Sequence, residues 1–169
     1  MKRLILTAAV ILASAMTAFA QKYIVVDSEK IFKSVAEYNE AIKTLDEMSE
    51  KYQEAVDAKF KDIENLYSTY VSQKASLSTA TRNAYEQQIL SQEKTATEYQ
   101  QSIFGNNGVI MKKRIELIQP IQSRVFSAIE KYAKENGCDM VVDIASNPSV
   151  LFYSDSVNHT DAIINLLKK

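Results

Sequence analysis

From Glu37 to Leu77 the chain contains no glycine or proline, and apolar residues recur at Leu45, Met48, Tyr52, Val56, Phe60, Ile63, Tyr67 and Tyr70. The mean step between them is close to the 3.6-residue turn of an α-helix and far from the two-residue period of a strand. At about 1.5 Å per residue, a helix over this stretch is roughly 60 Å long. A chain of 169 residues builds no globular interior able to bury such a rod, so the apolar stripe must lie against a second rod. Ser34-Val35-Ala36-Glu37 reads as the capping box that starts it, a hydroxyl acceptor followed three residues later by a Glu.

The second rod follows directly. Ser76-Leu77-Ser78-Thr79-Ala80-Thr81 is a cluster of small hydroxyl residues. Such residues compete with helical hydrogen bonds and favour caps, which places the turn there. The helical pattern resumes at Tyr85, Ile89, Ala96, Tyr99 and Ile103, continues through Val109, Leu117, Ile121, Val125, Ile129 and Tyr132, and stops at Asn136-Gly137. Two helices joined by a short turn make an antiparallel hairpin. Gly105-Asn106-Asn107-Gly108 interrupts the second helix, and Pro120 removes one of its backbone donors. No Gly-Lys-Ser/Thr follows the glycines, so they do not form a phosphate loop. With the turn near residue 78, residue 105 falls opposite residue 52 and Pro120 opposite Glu37. Gly105, Gly108 and Pro120 are read as hinges, the competing reading being a static break. On the hinge reading, Ala at both glycines stiffens the arm.

The flanks have another character. Tyr23-Ile24-Val25-Val26 reads as a strand and Asp27-Ser28 as the start of a short helix reaching Lys33. Near the other end Met140–Asp143 reads as a strand, Asn147-Pro148 as a turn, and Val150-Leu151-Phe152-Tyr153 as a further strand. Asn158 to Asp161 caps a last helix with apolar Ile163, Ile164, Leu166 and Leu167. The expected fold is therefore α+β and mostly helical. A small β-sheet body, residues 21–34 and 119–169, carries an inserted helical hairpin arm, residues 35–118, with its tip near 76–81. A body of about 64 residues buries only about 60% of its chain surface. Association with further copies through Ile24, Val26, Met140, Val142, Leu151 and Tyr153 is the expected remedy.

Residues 1–20 read as a cleaved signal peptide. Lys2 and Arg3 precede an apolar run, Leu4 to Phe19, that ends in the small-x-small pattern Ala18-Phe19-Ala20. The run is short for a membrane span, which needs about 20 residues, and no Cys follows to carry a lipid. Two bases and no acids leave with the segment, taking the formal net charge from −1 to −3. Export places the chain in a compartment without ATP, which sets aside kinases, other ATP-driven machines and any nucleotide partner. One Cys and one His exclude an internal disulfide and a metal cage of ordinary donors. Cys138 reads as a small apolar residue and His159 as a loop or cap residue. There is no nucleophile–base pair, metal spacing or cofactor loop, so neither an enzyme nor a bound cofactor or metal is expected. The acidic balance argues against nucleic acid.

Tyr23-Ile24-Val25-Val26-Asp27-Ser28-Glu29-Lys30-Ile31-Phe32 resembles the opening of the Skp/OmpH family of periplasmic chaperones. Asp139-Met140-Val141-Val142-Asp143, Val150 to Tyr153 and the Thr160-Asp161 to Leu167 ending resemble its close. The resemblance covers the whole mature chain. It implies a homotrimer whose helical arms enclose a cavity, a periplasmic location, and a nucleotide-independent holdase activity toward unfolded outer-membrane β-barrel proteins. The chain departs from the basic character of better-known members: its one basic cluster is Lys112-Lys113-Arg114. No lipopolysaccharide or membrane-surface site is carried over. The competing class is a coiled-coil adaptor of the cell envelope without chaperone activity. It would show regular seam packing and no wide apolar face left over.

A holdase without an energy source needs many weak contacts, because one deep site would never release its client. Six of the nine tyrosines, Tyr38, Tyr52, Tyr67, Tyr70, Tyr85 and Tyr99, lie in the hairpin. Each offers an apolar ring and a polar tip at low rotamer entropy. Tyr67, Tyr70, Val71, Tyr85 and Tyr99 are the candidate client contacts, the plainer alternative being that the rings close the seam. The acids Asp46, Glu47, Glu50, Glu54 and Asp57, interleaved with Lys43, Lys51, Lys59 and Lys61, read as a solvated helix face.

Overall fold

The computed structural model describes residues 22–168, and the expected signal peptide lies outside the described residues. The chain divides into two compact units: the described residues up to Ile31 together with those from Ser127 onward, and Phe32–Phe126. The fold is α+β and mostly helical.

The first unit is built on two short strands, β1 (Tyr23–Val26) and β2 (Met140–Asp143). They pair in parallel, Tyr23 opposite Met140 and Val26 opposite Asp143. A parallel pair needs a long crossover between its strands, and here the crossover contains the entire hairpin. On its other side β1 meets Asn158 through an isolated bridge, and the His159 amide donates to the Val25 carbonyl. Ile24, Val25 and Val26 are all buried, and since consecutive side chains of a strand point to opposite faces, both faces of β1 are covered. Helix α1 (Ser28–Lys33) starts at Asp27, whose carboxylate accepts from the Lys30 amide at 2.9 Å.

A polar network closes this unit. Asp143 accepts from the Ser28 hydroxyl at 2.6 Å, the Ser28 amide at 3.1 Å and the Ala145 amide at 3.1 Å. Thr160 is buried; its Oγ1 accepts from the Asp27 amide and donates to Asn158. Val150–Tyr153, expected as a strand, has no ladder partner among the described residues. Leu151 is 93% exposed and Phe152 86%. The composition favours a strand, but a strand exists only where another backbone accepts its hydrogen bonds.

The second unit contains α2 (Ala36–Gln73) and α3 (Thr79–Phe104). At about 1.5 Å per residue, α2 is about 57 Å long. Its cap corrects the sequence expectation. The N-cap is Val35, with no side-chain hydrogen bond, and Glu37 instead pairs with Arg124 at 2.9 Å. The turn is closed by Ser78, whose Oγ accepts from the Thr81 amide at 3.2 Å. The buried positions Val56, Ile63 and Tyr70 on α2, and Ile89, Ala96 and Ile103 on α3, each recur at seven residues. This is the coiled-coil period rather than that of a straight helix. Phe60 and Tyr67, expected on the same stripe, fall outside the seam and are exposed.

Helix α4 (Val109–Glu135) contributes to both units and continues through Pro120. It ends in a Schellman motif. Gly137 lies at φ +62°, its amide donates to Lys134, and the Cys138 amide donates to Ala133. Between α3 and α4 the chain is not loose. The Gly105 amide donates to the Gln101 carbonyl at 2.9 Å and the Gly108 amide to the Gly105 carbonyl at 2.8 Å. A Cβ at Gly108 would meet the Ile103 carbonyl oxygen at 2.3 Å, and one at Gly105 the Gln101 carbonyl oxygen at 2.4 Å. Alanine at either place therefore displaces backbone instead of simply stiffening a helix. The break also shifts the pairing. Glu37 faces Arg124, about one helical turn beyond Pro120, because the interruption consumes residues without helical rise.

Candidate functional site

Near the hairpin turn the seam is aromatic. Tyr70 is buried and stacks on Tyr85, their ring centroids 5.6 Å apart. The Tyr70 hydroxyl donates to Glu86 across the pair. That bond holds the Tyr70 phenol above its ordinary pKa, so it stays protonated and donating at neutral pH. Lys74 Nζ lies 5.2 Å from the centroid of the Tyr70 ring, a cation–π arrangement. Ile63, Tyr70, Ile89 and Ala96 form the buried cluster here, with Leu66, Leu77 and Tyr85 packed against it.

Beside this seam lies an open groove of about 430 Å³, lined by Tyr67, Tyr70, Val71 and Lys74 from α2 and by Glu86, Ile89, Leu90 and Glu93 from α3. Tyr67 is 57% exposed, Val71 51% and Leu90 58%. The reason is geometric. Adjacent residues on a helix point about 100° apart, so in Tyr70-Val71 and in Ile89-Leu90 only one of each pair enters the seam. The other is left as apolar surface on the groove's rim.

The structure thus separates the residues expected to act together. Tyr67 and Val71 line the groove's rim, Tyr70 forms its floor, and Tyr85 is half-buried against Tyr70. Tyr99 lies further along the hairpin, half-buried, with Lys59 Nζ 4.9 Å from its centroid. Leu90, Lys74, Glu86 and Glu93 escaped the sequence reading. Leu90 was legible as the second of two adjacent apolar residues on a helix with a one-residue seam. The pairing of Lys74 and Glu86 around one tyrosine was not, because it depends on the register of the two helices.

In the strand-bearing unit, Ile24 and Val26 are buried and Val142 is half-buried. Tyr23, Met140, Leu151, Phe152 and Tyr153 are exposed. This exposed apolar set lies in a unit whose sheet has only two strands. His159 is the N-cap residue of α5 (Thr160–Leu167), and its Nδ1 shares a 2.7 Å hydrogen bond with the Tyr132 hydroxyl. Among the described residues no group of His, Cys, Asp and Glu is placed to hold a metal ion. No described helix is long and apolar enough to cross a membrane.

A family model described as "Outer membrane protein (OmpH-like)" matches residues 22–167, nearly the whole described chain. No curated protein matches it.

Proposed function

The chain belongs to the OmpH-like family of periplasmic outer-membrane protein chaperones, and from that premise we propose that it is an ATP-independent holdase that keeps unfolded outer-membrane β-barrel proteins from aggregating. It works in the periplasm after loss of residues 1–20. It acts as a homotrimer whose hairpins bound the space where clients are held.

The observation that carries this reading is the apolar surface left over beside a completed seam. Phe60, Tyr67, Val71 and Leu90 are exposed although the two helices already pack through Val56, Ile63, Tyr70, Ile89, Ala96 and Ile103. An unfolded outer-membrane strand alternates apolar and polar residues. Shallow contacts with such segments are individually weak, so clients leave without an energy source. The trimer rests on the exposed set Tyr23, Met140, Leu151, Phe152 and Tyr153. A two-stranded sheet is marginal alone, and Val150–Tyr153 has strand composition without a strand to join.

One observation favours an envelope adaptor instead: the seven-residue regularity of the seam, which a spacer also needs. The two readings part on client binding. The mature protein is mixed with a β-barrel protein diluted from urea, aggregation is followed by light scattering, and stoichiometry is read by native mass spectrometry. Suppressed scattering with complexes of three copies per client is expected. Scattering that rises equally fast with and without the protein rejects the holdase reading and leaves the adaptor.

A further inference from the structure

Resting on the holdase reading, we infer that the groove beside Tyr70 is a charge-selective subsite for extended client segments that carry a lysine or arginine among aromatic and aliphatic residues. The groove's apolar rim is Tyr67, Val71 and Leu90, and its charges are two carboxylates, Glu86 and Glu93, against one ammonium, Lys74. Some exposed acids elsewhere on the hairpin have a cation beside them. Lys43 lies beside Glu47, Lys94 beside Glu98 and Lys113 beside Glu116. Glu93 has no ion-pair partner among the described residues. Glu86 accepts one hydrogen bond from Tyr70, while a carboxylate offers about four acceptor positions. Lys74 sits against the Tyr70 ring rather than against either carboxylate. The groove therefore combines an apolar rim with a net negative charge. The occupant complementary to it is apolar with a positive charge.

Glu86 and Glu93 are two turns apart on α3, about 10 Å along the axis. Leu90 lies between them in sequence. An extended segment advances about 3.3 Å per residue. Three residues of client therefore bridge the two carboxylates, with apolar side chains meeting Leu90, Val71 and Tyr67. The charge supplies preference and not tight binding, because an exposed ion pair contributes little. That suits a site that must release.

The test uses the mature protein and two fluorescein-labelled decapeptides in which Tyr and Leu alternate with Ser, one with a central Lys and its twin with Glu. Fluorescence anisotropy is expected to show the Lys peptide binding about threefold to fivefold tighter, the range exposed ion pairs supply. The preference should shrink as salt shortens the Debye length from about 10 Å at 0.1 M to about 3 Å at 1 M. Glu93→Lys, an exposed change whose folding is checked by circular dichroism, should abolish or reverse the preference. Val71→Ser with Leu90→Ser should weaken both peptides alike. Equal affinities, no binding of either peptide, or an unchanged preference in Glu93→Lys overturns the subsite. The light-scattering assay on the unaltered protein decides the holdase reading separately, so the two can fail independently.

Discussion

Asp143 shows how much one side chain can hold in a small unit. Partial burial pushes its pKa up, but donation from the Ser28 hydroxyl, the Ser28 amide and the Ala145 amide outweighs that and holds it below the ordinary carboxylate value. The bonds join the end of β2 to the start of α1, residues far apart in sequence. Because the folded pKa lies below the unfolded one, the stabilisation is complete above the unfolded carboxyl pKa of about 4 and disappears as pH falls through the folded value. Asp143→Asn is expected to lower stability by about 1.5–3 kcal/mol at neutral pH, the worth of hydrogen bonds to a charged group. In urea melts the gap between the two proteins should close below about pH 4. A gap independent of pH would show that the carboxylate charge is not what matters. The role of Asp143 was open in the sequence, where a strand end and a buried partner read alike.

Among the elements, the connection between α3 and α4 has the least tolerance. Alanine normally stabilises a helix by about 0.5–1 kcal/mol relative to glycine. At Gly108 the sign should reverse, since the added Cβ would lie 2.3 Å from a carbonyl oxygen. Gly108→Ala is expected to lose more than about 1 kcal/mol, read as a fall in the thermal midpoint. An unchanged or raised midpoint would show that the turn accommodates the added Cβ. We propose the hinge role of Gly105, Gly108 and Pro120 as a separate matter from local packing, tested by the capacity for large clients when both glycines are Ala; an unchanged capacity removes the hinge. The two glycines and the proline were visible in the sequence. The break at 105–108 was read there too; that α4 continues through Pro120 was not, because a helix can survive the loss of one backbone donor.

At the scale of the whole molecule, the proposed trimer rests on the exposed apolar residues of the strand-bearing unit. Leu151 and Phe152 are almost fully exposed, and soluble chains rarely leave such residues side by side without a partner. Leu151→Ser combined with Phe152→Ser should convert the proposed trimer to monomer in native mass spectrometry, with the far-ultraviolet circular dichroism of the hairpin retained. A trimer that survives the double change would place the subunit contact elsewhere. Loss of the trimer should also weaken suppression of client aggregation, since each hairpin alone offers only shallow contacts.

Elements whose causes are local were legible from the chain alone. The strands Tyr23–Val26 and Met140–Asp143, the long helix to Gln73, the hydroxyl-rich turn and the Gly137 stop each follow from side-chain period, β-branching or backbone permissiveness within a few residues. The hairpin followed too, because a rod of that length has no other way to hide its stripe. Which apolar residues close the seam and which line its edge was settled by the packing of the two helices. Tyr67 and Tyr70 belong to one stripe in the sequence, but the seven-residue seam admits Tyr70 and leaves Tyr67 in solvent. The tertiary structure likewise decided that Val150–Tyr153, a strand by composition, finds no ladder among the described residues. Both outcomes depend on the register and identity of a neighbouring backbone, which periodicity along one chain does not encode.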